Sequence, residues 1–507
     1  MTTHTPSVAT DAPGDLWNGA RSDGSHLDLM HPDGAATRMG GIGRGSEPSA
    51  ALVESQPSSS GSYDALDVTP DTTESTRPDW LRNAVCEIDR LLSGDGVAYV
   101  RVPRRLRRAL MTELERTRLS VSSPFIHVHY GSSAEYLVQC DATALGFLAS
   151  SLPMPAGRER LLRAGLRLPK ATSWLTTAGA NIGFAVQRKG ARPLFEWATS
   201  GLPDRPRLSV KLVRIKQRGR ARSAVLWLFG EGQAAPWSVV KTALNTGAAI
   251  RIAAELDNLG SFRASVADSG ATLPTGASVE SQRSALRLGF LDGLPADVAI
   301  GARPDRHRDI VQQVTTWLAR WHDATRTRRE IDTNWLLREL IDPAHALRHL
   351  LDSPEPYFRW LAAACARLTG RTLGLVACHG DLTMSNLVVD GSRSLGIVDW
   401  ESARADGLPL SDLFYAAADA RAAAGQYKHR AEALIEAFTV QSDYGRFVAG
   451  QARIADPEIS REPEIAQVLL HATALHHAVN EQAKGRGNQG PFASLLRALV
   501  SSVRTWG

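Results

Sequence analysis

The spacing of apolar residues changes along the chain, and each change marks a region. Residues 1–60 are rich in Gly, Ser, Thr, Pro and Asp and hold almost no clustered aromatic or β-branched side chains. Such a stretch cannot bury enough surface to offset the entropy of ordering it, so a disordered arm is expected. From Tyr63 the pattern becomes mixed. Tyr63 to Val68 reads as a short strand, Trp80 to Leu92 as a helix with Leu81, Val85, Ile88, Leu91 and Leu92 on its apolar stripe, and Val97 to Val102 as a strand after a Gly94-Asp95-Gly96 turn. Phe125 to Tyr130 and Ile182 to Val186 read as strands, and Leu145 to Leu152 and Arg158 to Leu168 as helices. Two prolines and a glycine in Gly201 to Pro206 then suggest a boundary.

Beyond that boundary, period-two runs dominate: Leu208 to Ile215, Ser223 to Phe229, Trp237 to Thr242 and further strands within Ser278 to Phe290. One helix interrupts them, Ala248 to Leu259, with Ile252, Leu256 and Leu259 on one face and Glu255 adjoining. After Pro304 the period is helical. Ile310 to His322, Tyr357 to Leu368, Asp412 to Ala424, Leu434 to Phe438, Phe447 to Ile454, Ile465 to Val479 and Phe492 to Val503 all carry apolar stripes. The expected organisation is a disordered arm over 1–60, a partial α/β domain over 62–200, a β-rich lobe over 207–298 and a helical lobe over 299–507.

Composition narrows the function classes. A net charge of +5 is mild and does not call for nucleic acid. Cys86, Cys140, Cys365 and Cys378 are scattered without zinc or redox spacing. No run reaches the roughly 18 apolar residues of a membrane span, and the N-terminus lacks the basic start and apolar core of a signal peptide. A cytoplasmic protein is expected. Gly40-Gly41-Ile42-Gly43-Arg44-Gly45 has no hydrophobic strand before it, so it reads as a linker and not a nucleotide loop.

The chemistry concentrates in LGLVACHGDLTMSNLVVDGSRSLGIVDWESARADGLPLSD, from Leu373 to Asp412. Leu387 to Val389 and Leu395 to Val398 are β-prone runs joined by Asp390-Gly391-Ser392-Arg393, a hairpin signature. Antiparallel pairing would bring Asn386 beside Asp399. An amide carbonyl and a carboxylate make a hard-oxygen pair suited to Mg²⁺. Asp381, held in the preceding loop, could accept a hydroxyl proton or orient that hydroxyl for in-line attack.

The two motifs HGDLTMSN and IVDWE resemble those of the aminoglycoside/choline phosphotransferase family, and the resemblance spans about residues 207–507. It implies a bilobal, protein-kinase-like α+β fold and an ATP- and Mg²⁺-dependent transfer of the γ-phosphoryl group to a hydroxyl of a small molecule: a sugar, an aminoglycoside or an amino alcohol. Gly380 stands where protein kinases carry Arg, and Trp400-Glu401 where they carry Phe-Gly, which favours a small-molecule acceptor. By the same resemblance Lys241, supported by Glu255, would hold the α/β-phosphates, His379 and Asp412 would steady the catalytic loop, and Leu291 to Pro295 would join the lobes. The basic residues Lys211, Arg214, Lys216, Arg218, Arg220 and Arg222 admit two readings: a solvated strand face, or a turn from Gly219 to Ser223 that covers nucleotide phosphates. Residues 62–190 resemble, more faintly, the second half of a Rossmann-type methyltransferase, without a glycine-rich loop or a ribose-binding acid. Two other functions follow from these resemblances: a non-catalytic, kinase-like nucleotide or metabolite sensor, and a methyltransferase-related polysaccharide-assembly factor.

Overall fold

The computed structural model describes residues 39–41, 63–68, 78–103, 106–121, 125–130, 134–139, 141–151, 181–191, 194–199, 202, 208–218, 221–279, 284–351, 353–390, 394–483 and 489–503. The helix expected at Arg158 to Leu168, and Gly219, lie outside them. The chain falls into two compact units, one of Met1–Ser150, Ala156–Ala249 and Ser278–Leu288, the other of Ser151–Pro155, Ile250–Ala277 and Gly289–Gly507.

The first unit is built on one sheet. Its strands are β1 (Met39–Gly41), β2 (Tyr63–Val68), β3 (Leu92–Pro103), β4 (Leu119–Val121), β5 (Phe125–Tyr130), β6 (Ala134–Gln139), β7 (Asn181–Arg188), β8 (Ser209–Arg218), β9 (Ala221–Phe229) and β10 (Ser238–Ala243). With β12 (Gly276–Ser278) and β13 (Ala285–Gly289), the order is β1-β2-β3-β7-β5-β6-β8-β9-β10-β13-β12, with β4 paired to β7. Strands β2 and β3 run parallel, joined through helix α1 (Pro78–Leu91), which is the connection a parallel pair requires. Residues Val97 to Val100 are buried on both faces of β3. Ala98 and Val100 pack with Leu81, Val85 and Ile88 of α1, whereas Val97 and Tyr99 join Leu137, Val213, Leu226 and Val240 on the other side. Gly183 makes room for this arrangement, since a side chain there would enter the Tyr99 phenol.

A strand from before residues 201–206 pairs directly with one from after them, β6 with β8, with Leu137 opposite Val213. The partial α/β segment and the following β-rich segment therefore share a sheet. Two basic residues of β8 are used inside this unit: Lys211 Nζ lies 2.8 Å from Asp141 Oδ2, and the Arg214 guanidinium sits 5.3 Å from the Tyr136 ring centre. Neither of the readings given for the basic face fits these two side chains. Ser223 is the third residue of β9, opposite Lys216 on one side and Ala243 on the other, so it belongs to the strand and not to a turn.

The second unit is mainly helical. It includes most of α2 (Thr246–Asp268), then α3 (Ala296–Ala302), α4 (His307–Thr325), α5 (Pro354–Leu368), α6 (Ser411–Ala424), α7 (Arg430–Phe438), α8 (Asp443–Ala455), α9 (Pro463–Ala483) and α10 (Pro491–Val503). Two small sheets run through it: β11 (Ala271–Thr272), β18 (Leu395–Ile397), β17 (Leu387–Val389) and β14 (Leu294–Pro295) in that order, and β15 (Thr327–Glu330), β16 (Thr372–Cys378) and β19 (Arg404–Gly407). An aromatic stack ties the elements together. Trp317 and Trp321 of α4 stack at 5.0 Å, Trp400 meets Trp321 edge-on at 5.6 Å, and Phe262 of α2 lies 5.9 Å from Trp321. Large rings in offset or edge contact add to their burial.

Candidate active site

Strand β16, buried from Leu373 to Cys378, delivers the chain to His379. The next two residues need a special backbone. Gly380 has φ +78°, and a Cβ there would lie 2.5 Å from the Ser402 carbonyl oxygen, so only glycine fits between His379 and Asp381. Asp412, at the start of α6, closes the turn. Its Oδ2 accepts the His379 N–H at 2.6 Å and its Oδ1 accepts the Gly380 N–H at 2.9 Å. Burial pushes the Asp412 carboxyl above its usual range, against the pull of the His379 ring and of both N–H groups.

His379 is fully buried. Its Nδ1 accepts the Asp381 N–H at 3.3 Å, which leaves Nε2 to carry the proton and donate to the Val398 carbonyl at 3.0 Å. The imidazole therefore spans from the loop to the hairpin. The Asn386 Nδ2 donates to the Asp381 carbonyl at 2.8 Å, and the Val398 N–H donates to the Asn386 carbonyl at 3.0 Å. In the β17–β18 register Leu387 faces Ile397, so the residue directly opposite Asn386 is Val398, with Asp399 one step further. Asp399 adopts φ +70°, a left-handed conformation that Asp tolerates better than most residues. That backbone turns the chain sharply into Trp400.

Trp400 is fully buried, donates from Nε1 to the Ile397 carbonyl at 3.0 Å and packs 4.9 Å from the His379 ring. Asn258 of α2 caps the same turn, donating from Nδ2 to the carbonyls of Trp400 and Ala403 at 2.8 and 3.1 Å. Glu401 pairs with Arg251 at 3.1 Å. Arg251 of α2 thereby reaches the residue next to Trp400.

A second carboxylate braces the loop and had no signal in the sequence. Asp419, two turns after Asp412 on α6, accepts the Met384 N–H at 2.8 Å, the Tyr427 hydroxyl at 3.2 Å and Arg430 at 3.1 Å. His322 lies beneath the loop, fully buried, and burial holds its imidazole at about 3, hence neutral, with Arg326 adding to the shift. It converges with Cys378 and Asp412 to within 4.8 Å. Three donors, one of them already taken by two N–H groups, fall short of the four of a structural zinc centre.

The two residues expected at the nucleotide phosphates belong to different units. Lys241 is a half-buried residue of β10, opposite Val225, in the first unit. Glu255 is buried on α2 in the second. The three histidines of α9 diverge. His471 is buried against Trp360, His476 lies 3.1 Å from Glu339, and His477 packs on Tyr415, so they form no shared metal site.

Residues 222–450 match the family model described as the phosphotransferase enzyme family, which contains the loop, the hairpin and both bracing carboxylates; residues 62–190 lie outside it. No curated protein matches the chain. Among solved structures, the GDP complex of aminoglycoside 2'-phosphotransferase-IIIa is 15% identical, covers 59% of this chain and 93% of its own, and has a TM-score of 0.36. A macrolide 2'-phosphotransferase from Brachybacterium faecium is 15% identical, with 56% and 91% coverage and a TM-score of 0.32. A choline/ethanolamine kinase family protein from Mesorhizobium loti is 14% identical, with 61% and 90% coverage and a TM-score of 0.32. These are distant likenesses. Over residues 222–450, a little under half of its length, the chain is similar to the phosphotransferase enzyme family.

Proposed function

We propose that the protein is an ATP- and Mg²⁺-dependent phosphotransferase whose acceptor is a hydroxyl of a small molecule. The supporting observation is the bracing of Asp381: its N–H is held by His379, its carbonyl by Asn386, and the two residues before it by Asp412. A group fixed on every backbone side and left half-exposed is built to meet a substrate. The acceptor O–H would place its proton toward the Asp381 carboxylate while its oxygen attacks the γ-phosphorus and the bond to ADP breaks.

The donor set fits Mg²⁺. The Asn386 amide nitrogen is spent on the Asp381 carbonyl, which turns Oδ1 away from that bond, and Asp399 supplies a carboxylate one residue past the hairpin partner of Asn386. When bound, the ion would neutralise charge on the transferring phosphoryl group. Lys241 would hold the α/β-phosphates with Glu255 as its support, by the family resemblance and by its place on a half-buried strand.

The test is to incubate the full chain with ATP and Mg²⁺ over a panel of sugars, aminoglycosides and amino alcohols. Acceptor-dependent ADP release with a mass gain of one phosphate on the acceptor is expected. If ATP binds and no acceptor gains phosphate above the level of an Asp381→Ala control, the protein is a sensor and not a kinase.

A further inference from the structure

The helices after residue 354 line a half-open cavity of about 1240 Å³, and no residue of the catalytic segment 379–402 lines it. Its walls are Phe414, Ile435, Val448, Leu470, Leu495 and Leu499, drawn from five helices. Phe414 leaves α6 roughly 200° around the helix from Asp412, so one helix serves the catalytic loop on one face and this cavity on the other. The volume exceeds the roughly 300–1,000 Å³ usual for small-molecule sites.

Two buried rings at this cavity leave polar atoms unpartnered. His471 lines it, is fully buried, and neither ring nitrogen has a hydrogen-bond partner. Trp360, also in the lining, lies 4.4 Å from the His471 ring, and Tyr357, whose buried hydroxyl is likewise unpartnered, stacks on it at 5.6 Å. Buried polar groups without partners are rare in folded proteins and point to a missing ligand or water. Among the lining residues Arg367 pairs with Glu464 at 3.1 Å. Arg359 and Arg453, exposed residues of the same lining, have no ion pair among the described residues.

We propose that this cavity binds an amphipathic organic anion, with a large apolar body among the aliphatic walls, a hydroxyl or carbonyl reaching His471, and a carboxylate head at Arg359 and Arg453. An apolar chamber alone would accept any hydrophobe. Two unpaired guanidinium groups select the charged end, since charge-assisted hydrogen bonds to carboxylate are the stronger kind.

The probe is cis-parinarate, a polyene fatty carboxylate that becomes fluorescent on leaving water, titrated into the full chain beside its uncharged methyl ester. Saturable one-to-one binding of the carboxylate, at least tenfold tighter than the ester, is expected. Arg359→Ala with Arg453→Ala should weaken the carboxylate about tenfold and leave the ester unchanged, and Ala449→Trp, which puts an indole into the lining, should weaken both. The arginine pair is exposed, so that variant keeps the test decisive if Ala449→Trp does not fold. Absence of saturable binding, equal affinity for acid and ester, or indifference to the arginine variant would overturn the proposal.

Discussion

The residues that brace the catalytic loop and the two rings at the cavity behind it handle buried polar atoms in opposite ways, although His322 beneath the loop shares the unpartnered state of His471. Around the loop His379, Asn386, Asp412 and Asp419 all spend their hydrogen bonds within the protein, mostly on backbone groups of residues 380–386 and 398. At the cavity His471 and Tyr357 are buried with none. A satisfied network fixes one geometry, as phosphoryl transfer needs. An unsatisfied one stores a cost that only an incoming group can relieve.

That contrast can be broken at several points. The largest effect is expected at Asp381, the half-exposed carboxylate of the loop: Asp381→Ala should lower turnover by roughly 10²-fold to 10⁴-fold, measured under single-turnover conditions with an acceptor from the panel. Asp419→Ala comes next. It strips the Met384 N–H of its acceptor and leaves Arg430 without its carboxylate, and breaking a buried pair costs about 3–5 kcal/mol. Urea unfolding would measure this, and an unchanged midpoint would mean that Asp419 does not brace the loop. Gly380→Ala forces a side chain into a left-handed backbone against the Ser402 carbonyl and should cost about 1–3 kcal/mol of stability, with a loss of turnover beyond the fraction unfolded.

Acid sharpens the comparison at the junction of the two regions. Glu339 is fully buried, and although burial alone would raise its carboxyl, His476, Arg404 and Arg338 outweigh that and hold it at about 2. A carboxyl depressed from 4.5 contributes stability that is complete above 4.5 and is lost as the pH falls through about 2. Glu339→Gln should flatten that limb of the stability curve in acid unfolding. The smallest effect belongs to the cavity: His471→Phe removes an unsatisfied group and should leave stability within about 1 kcal/mol of wild type or raise it. A large loss there would show that His471 is a satisfied part of the core.

Much of this was legible in the sequence where the signal was local. The hairpin after Asn386 declared itself through two β-prone runs around Asp390 and Gly391, and the order of HGD, Asn and DWE carried the family resemblance. Distance and uniformity hid the rest. Asp419 meets Met384 35 residues away, inside a helix so rich in buried alanine that no polar stripe marks it. Strand β16 is too uniformly apolar for its period to be read. Lys211 and Arg214 looked like part of a run of basic residues along one strand, but their partners, Asp141 and Tyr136, come from chain some 70 residues earlier. The cavity is assembled from side chains between Pro356 and Leu499 and has no sequence signature at all.

The most direct test of the account compares wild type with Asp381→Asn, measuring on each the affinity for ATP with Mg²⁺ and the rate of phosphoryl transfer to the acceptor. If Asp381 meets the hydroxyl while other groups hold the nucleotide, affinity stays within about threefold and transfer falls by roughly 10²-fold or more. Equal transfer rates, or a collapse of nucleotide affinity in the variant, would contradict it.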